Sequence, residues 1–177
     1  QLDSLTLQVA KQIKTTNLKF DLVVALAKGA WPMSRSLVDY SGIKELASLG
    51  VKFYKGINKR LEKPEIYQEL PTSVKGKKVL VFDDVADSGE SLAFTLEYLR
   101  QAGAEDVKTA TLFFKPWSVL TPDFYGETTD AWIIFPFEKR EMLDLLGKNW
   151  REQGRSEAEI LARYQELGFM EVYNSVC

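Results

Sequence analysis

The chain contains no histidine, and its single cysteine, Cys177, is the last of its 177 residues. Without imidazole there can be no Ser-His-Asp or Cys-His nucleophilic site and no zinc centre built on histidine. Carboxylates and lysines are left as the candidate acid-base groups. One cysteine allows neither an intramolecular disulfide nor a multi-cysteine metal site, which suits a reducing compartment. Long apolar runs are also missing. None approaches the roughly 20 residues of a membrane span, and the opening QLDSLTLQVAKQIKTTN lacks the apolar stretch of a secretory signal. Charge of one sign is missing too: the formal net charge is -2, with no basic cluster, so nothing in bulk electrostatics favours nucleic acid or an anionic membrane. These absences lead us to expect a soluble, cytoplasmic protein that binds neither nucleic acid nor membrane.

What is present is enough for a packed core. With 45% hydrophobic and 27% charged residues, the chain is expected to fold as one domain over 1–177, with a core at 15–140 and a C-terminal helical extension at 141–177. Apolar spacing predicts a helix over Ser4 to Lys14. Short buried strands are expected at Asp21 to Ala27, Val51 to Ile57, Val79 to Phe82, Val107 to Phe114 and Ala131 to Phe135. A helix at Leu92 to Gln101 is closed by Gly103, and KGAWPMSRSLVDYSG reads as a turn leading into another. The polar stretch Asn58 to Lys78 shows no clear period and reads as a long loop or hairpin. From Arg140 onward the pattern is helical, with Ser156 and Glu159 spaced as a capping box and Gly168 as a stop. Alternating strands and helices indicate an α/β class: a mostly parallel open sheet flanked by helices, Rossmann-like, with a C-terminal helical segment.

The segment KKVLVFDDVADSGESLAFTLEYLRQAG carries the chemistry. An apolar strand runs into Asp83 and Asp84, and then through Ala86 into the small-residue turn Asp87-Ser88-Gly89-Glu90-Ser91 ahead of a helix. In a parallel sheet, ligands bind at the carboxyl ends of strands, where helices begin with unpaired N–H groups. Ser88 and Ser91 offer hydroxyls, Gly89 permits close backbone approach, and the helix start favours an anion, so the turn can cradle a phosphate monoester. Asp83 and Asp84 would repel that phosphate, but they suit sugar hydroxyls or a magnesium ion. The set therefore describes a ribose 5-phosphate site. Each residue alone also has an ordinary reading as a strand end or helix cap.

VLVFDDVADSGESL resembles the phosphoribosyl-diphosphate signature of the type I phosphoribosyltransferases. The acid at Asp87 brings it nearest to the 6-oxopurine branch, the hypoxanthine, guanine and xanthine enzymes. The resemblance extends from Asp21 to about Arg140 and gives meaning to three further stretches. ALAKGAWP resembles the pyrophosphate loop, with Lys28 and Gly29 matching and Ala30 in place of a frequent second glycine; that loop often carries a non-proline cis peptide. FFKPWS resembles the strand end whose lysine, here Lys115, donates to the purine 6-oxo group. DAWIIFPFE resembles the base-binding segment, in which Trp132 would stack on the purine and the backbone of Ile133 would read its 2-position. Glu138 falls where the family has an aspartate near a second magnesium.

The resemblance implies transfer of a 5-phosphoribosyl group from phosphoribosyl diphosphate to a 6-oxopurine, with Mg2+ as cofactor and a homo-oligomer, dimer or tetramer, as the assembly. Asp83 and Asp84 would hold the sugar, and Asp87 would act on the purine ring proton as general base or as hydrogen-bond acceptor. A mobile loop at about Lys55 to Lys75 would close over the site, which would bring Tyr54, Lys59 and Arg60 within reach of the pyrophosphate, with no role assigned to them. The alternative is a non-catalytic regulator that keeps the same fold to sense phosphoribosyl diphosphate or a nucleotide.

Overall fold

Leu22 to Leu26 are buried without a break, and such a run needs both faces of a strand covered. In the computed structural model, which describes residues 1–54 and 63–176, this run is strand β1 (Leu22–Ala27). It lies inside a six-stranded sheet with β2 (Glu45–Tyr54), β3 (Lys63–Gln68), β4 (Lys78–Ala86), β5 (Asp106–Phe114) and β6 (Phe124–Thr128). The strand order is β3-β2-β1-β4-β5-β6. All pairings are parallel except β2 with β3. The order reverses between β1 and β4, so the crevice at their carboxyl ends is the switch point where ligands of such sheets bind.

Alternation within the strands assigns the two faces. Leu22, Val24 and Leu26 of β1 share one cluster with Val79 and Val81 of β4 and with Leu92 and Leu99 of α3 (Glu90–Gln101). The intervening Val23, Ala25, Leu80 and Phe82 are equally buried and point to the opposite face. That face is covered by α1 (Leu2–Thr15), which inserts Leu5, Val9 and Ile13, and by α2 (Trp31–Ser41), which inserts Leu37. Gly42, at a φ of 80°, ends α2 in the left-handed conformation that glycine adopts most readily.

Three expectations need correction. The second strand begins at Glu45, six residues ahead of the predicted Val51, because its first half pairs with β1 from Leu22↔Glu45 to Ala27↔Gly50. Past a register shift at Gly50/Val51 it turns to β3, with Val51 opposite Ile66. The expected loop from Asn58 to Lys78 thus contains β3, the return strand of a hairpin; residues 55–62, among them Ile57, Lys59 and Arg60, lie outside the described residues, as does the side chain of Tyr54. Ala131 to Phe135 is not a strand. The last strand is β6, whose sequence FYGET carries no strong strand signal and is fixed instead by pairing with β5, Ala110 opposite Phe124.

The chain divides into two compact units, Gln1–Asp130 and Ala131–Cys177. The second, taken by itself, packs α4 (Lys139–Glu152), α5 (Glu157–Glu166) and α6 (Met170–Val176) around Met142, Leu143, Ile160, Tyr164 and Phe169. Tyr164 donates its hydroxyl to the carbonyl of Leu143 at 2.7 Å. The predicted capping box is present at α5: Ser156 accepts from the Glu159 amide, and the Glu159 carboxylate accepts from the Ser156 amide at 2.8 Å. Among the described residues no helix is long and apolar enough to cross a membrane.

Candidate active site

The acids that close the apolar run lie at the carboxyl end of β4, which continues past the predicted Phe82 to Ala86. The strand is held there by β5, with Asp83 opposite Thr111 and Ala86 opposite Phe114. Asp83 is partly exposed, whereas Asp84 retains only 7% of its surface. The Asp84 amide donates to Oδ1 of Asp83 at 3.0 Å, and the Val85 amide donates to Oδ1 of Asp84 at 2.8 Å. Burial pushes the Asp84 carboxyl above the usual carboxylate range, and the amide of Val85 pulls the other way without prevailing.

The turn after β1 meets these acids. Lys28 is exposed, and the Ala27–Lys28 peptide is cis. A Cβ on Gly29 would overlap the Asp84 carboxylate, so glycine is what lets the two strand-end loops touch. From β3, Tyr67 donates its hydroxyl to the Ala27 carbonyl at 3.2 Å and lays its ring over Gly50, where a Cβ would be 2.6 Å away.

On the other side of β4, Asp87 and Ser88 are exposed and lead into α3. The Glu90 amide donates to Oγ of Ser88 at 3.3 Å, a local turn bond ahead of the helix, whose N-cap residue is Gly89, and the Ser88 hydroxyl proton stays available to an anion. Gly89 has a φ of 79°. A side chain there would overlap Oγ of Ser118 and come within 2.9 Å of the Leu120 amide. What approaches this glycine closely is thus the loop after β5, and the Ser91 amide, in the first turn of α3, is what the backbone of the turn offers a phosphate.

Lys115 follows β5 directly and exposes only 5% of its surface. Its amide donates to the carbonyl of Ala86 at 3.0 Å, and the Val119 amide donates to the carbonyl of Ser88 at 2.8 Å. The loop carrying the lysine is therefore stitched to both ends of the Asp87 turn. Between these stitches Trp117 donates its indole N–H to Oδ1 of Asp87 at 2.9 Å, with Nζ of Lys115 5.4 Å from its ring centroid. The fold thus gathers Lys28, Gly29, Asp83, Asp84, Ala86 to Ser91 and Lys115 at one end of the first unit. Trp132, Ile133 and Glu138 belong to the second. There Trp132 is 71% exposed and borders an open groove of about 570 Å³ that includes Leu145 and Asn149. Glu138 is the N-cap residue of α4. Among the described residues no group of three or more acids and cysteines could hold a metal by itself.

Sequence reasoning missed Tyr67 and Trp117. Tyr67 gave no signal, because its contact depends on the hairpin that returns β3 to β2. Trp117 did give one: a large aromatic beside Lys115 in KPWS, where the chain has just left a strand.

The match to the phosphoribosyl transferase domain family extends over residues 6–139. The hypoxanthine-guanine phosphoribosyltransferase of Bacillus subtilis (strain 168) is 30% identical over 120 residues, which is 65% of this chain and 67% of that protein. The enzyme of the same name from Lactococcus lactis is 30% identical over 114 residues, 62% of each. Among solved structures, the purine phosphoribosyltransferase of Pyrococcus horikoshii is 34% identical and superposes with a TM-score of 0.69, covering 77% of this chain and 88% of that one. With more than half its length matched and Asp83, Asp84 and the Asp87 turn at the switch point of its sheet, this chain belongs to the phosphoribosyl transferase domain family.

Proposed function

We propose that the protein transfers the 5-phosphoribosyl group of phosphoribosyl diphosphate to hypoxanthine, guanine or xanthine, yielding the nucleoside 5'-monophosphate and pyrophosphate in purine salvage. The observation that carries this reading is the meeting of three strand-end loops: Asp84 against Gly29 on one side of β4, and the Asp87 turn stitched to Lys115 on the other. A donor bound across them would have its sugar at the acids, its 5-phosphate at Ser88 to Ser91 and its pyrophosphate at Lys28. The names of the two bacterial relatives support a 6-oxopurine acceptor. Lys115 supports it chemically, because an ammonium donates to a 6-oxo group and cannot accept from the amine of adenine.

In this mechanism the bond from C1 of the ribose to the pyrophosphate oxygen breaks, and its electron pair leaves with pyrophosphate. Positive charge develops on the sugar, and the carboxylates of Asp83 and Asp84 stabilise it in a position fixed by the strand. A purine nitrogen supplies the new bond to C1, and Asp87 holds or accepts the ring proton. The adjacent carboxylates of Asp83 and Asp84 are hard oxygen donors that would suit a magnesium ion, which when bound would offset charge on the departing pyrophosphate. Lys28 adds to that effect. Glu138 is the candidate contact to a second ion, Trp132 the platform for the base, and the backbone of Ile133 the contact to its 2-position. The donor and the acceptor are the partners of this reading, and a homo-oligomer, dimer or tetramer, is the assembly that goes with it.

The test is a spectrophotometric assay with phosphoribosyl diphosphate and magnesium, offering hypoxanthine, guanine, xanthine and adenine separately to the wild-type chain and to Asp87→Asn. Turnover of a 6-oxopurine, reduced about a hundredfold or more in the variant, is expected. Binding of phosphoribosyl diphosphate without turnover of any base would replace this reading with that of a non-catalytic sensor.

A further inference from the structure

Trp117 is the largest exposed side chain beside the Asp87 turn, with 57% of its surface in solvent. An exposed hydrogen bond adds little to stability, and an exposed indole adds less burial than its size allows. Its surroundings nonetheless match the charge distribution of the ring at two points. The ammonium of Lys115 lies over the electron-rich face, 5.4 Å from the centroid, and the carboxylate of Asp87 accepts from the electron-poor edge through Nε1–H at 2.9 Å. The backbone beneath is fixed at both ends, by Lys115 N–H to Ala86 and by Val119 N–H to Ser88. One rigid side chain thereby links the two groups that, on the proposed reading, face the ring proton and the 6-oxo oxygen of the purine.

We propose that Trp117 is a positioning residue for phosphoribosyl transfer: its indole N–H holds Oδ1 of Asp87 so that Oδ2 faces the purine ring proton, and its ring sets the place of the Lys115 ammonium. This rests on the reading of the site as a 6-oxopurine phosphoribosyltransferase. A carboxylate on an exposed turn would otherwise sample several rotamers, and fixing one of them removes an ordering cost from the transition state. The effect belongs to the chemical step more than to capture of the donor, whose 5-phosphate is assigned to the neighbouring Ser88 to Ser91 and whose pyrophosphate is assigned to Lys28.

The decisive variant is Trp117→Phe, which keeps an aromatic face under Lys115 and deletes only the donor. We expect kcat for the 6-oxopurine to fall about tenfold, while KM for phosphoribosyl diphosphate changes less than twofold. In the Asp87→Asn background the same substitution is expected to add little, because the two residues act as a unit. A signature independent of catalysis comes from the indole N–H resonances of the four tryptophans, assigned by single Trp→Phe variants. Asp87→Asn should move the Trp117 signal and leave the other three in place. A Trp117→Phe enzyme within twofold of wild type overturns the proposal; so does a double variant whose loss is the product of the single losses, or a Trp117 indole signal indifferent to Asp87→Asn. A wild-type chain that turns over no purine overturns the phosphoribosyl-transfer reading itself, whereas an active wild type with an unimpaired Trp117→Phe overturns only the role of Trp117.

Discussion

Two apolar runs in this chain look alike on paper and end up differently. KVLVFDDVA becomes the central strand β4, with parallel partners on both sides. AWIIF, rich in residues that favour strands, belongs to no strand; Phe135 is buried, stacks with Phe137 and sits in the second unit with Ile134. The difference lies in the neighbours. Strand propensity measures how well a residue fits a pleated, half-buried surface, and it takes effect only where adjacent strands provide one. β4 has β1 and β5, while the sheet ends at β6, whose weak sequence is held by β5. The two runs also divide the proposed labour, since β4 delivers the acids and the phosphate turn, and the later segment presents an exposed tryptophan.

The sharpest contrast is in stability. Phe82 is fully buried in β4, and Phe82→Ala is predicted to destabilise the protein by about 3–5 kcal/mol, the cost of lost transfer energy plus a cavity. Urea denaturation followed by circular dichroism checks it. A loss under 1 kcal/mol would mean that the centre of the sheet is not where β4 lies. Gly89→Ala is predicted to follow at roughly 1–3 kcal/mol, because the φ of 79° strains any side chain and because the new methyl meets Ser118 and the Leu120 amide. It should also reduce turnover by moving the phosphate turn. Unchanged stability in that variant would show that the Ser118 loop yields freely.

Asp84 offers a test of sign. Its folded pKa is raised by burial, so between the unfolded value of about 3.9 and the higher folded value the native state binds the extra proton. Stability therefore falls as pH rises through that window. At neutral pH, without magnesium, Asp84→Asn should be the more stable protein, and the difference should vanish at acid pH below the unfolded value. Activity is predicted to move the opposite way, with a large loss. Thermal melting across pH with parallel assays separates the two effects, and an Asp84→Asn protein less stable than wild type at neutral pH would contradict the burial argument.

Most of the first unit was legible because its signals are local: continuous apolar runs for β1 and β4, and acids and small residues where a strand gives way to a helix; in the second unit the capping box at Ser156 was equally local. The unread parts depend on partners distant in sequence. β3 and the first half of β2 exist through a hairpin and through β1, and β6 through β5. Tyr67 reaches Ala27 only because β3 returns along β2. Trp117 meets Asp87 only because two loops 30 residues apart are stitched by backbone hydrogen bonds. Motif spacing names the strand-end groups, but it cannot show which side chain from the neighbouring strand end stands beside them.

The smallest predicted effect on stability belongs to the other run. Trp132 is 71% exposed, so Trp132→Ala should alter folding stability by no more than about 0.5 kcal/mol. If its ring is the platform for the base, the variant loses a stacking contact worth about 1–3 kcal/mol. KM for the 6-oxopurine would then rise roughly tenfold while KM for phosphoribosyl diphosphate stays put. Steady-state kinetics with each substrate varied in turn reads both constants. Equal increases in the two would assign Trp132 to general closure of the site, and no increase in either would remove it from the site altogether. With Phe82→Ala, the pair separates the two apolar runs by their predicted effects: the first substitution should cost stability, and the second should cost affinity for the base and leave stability unchanged.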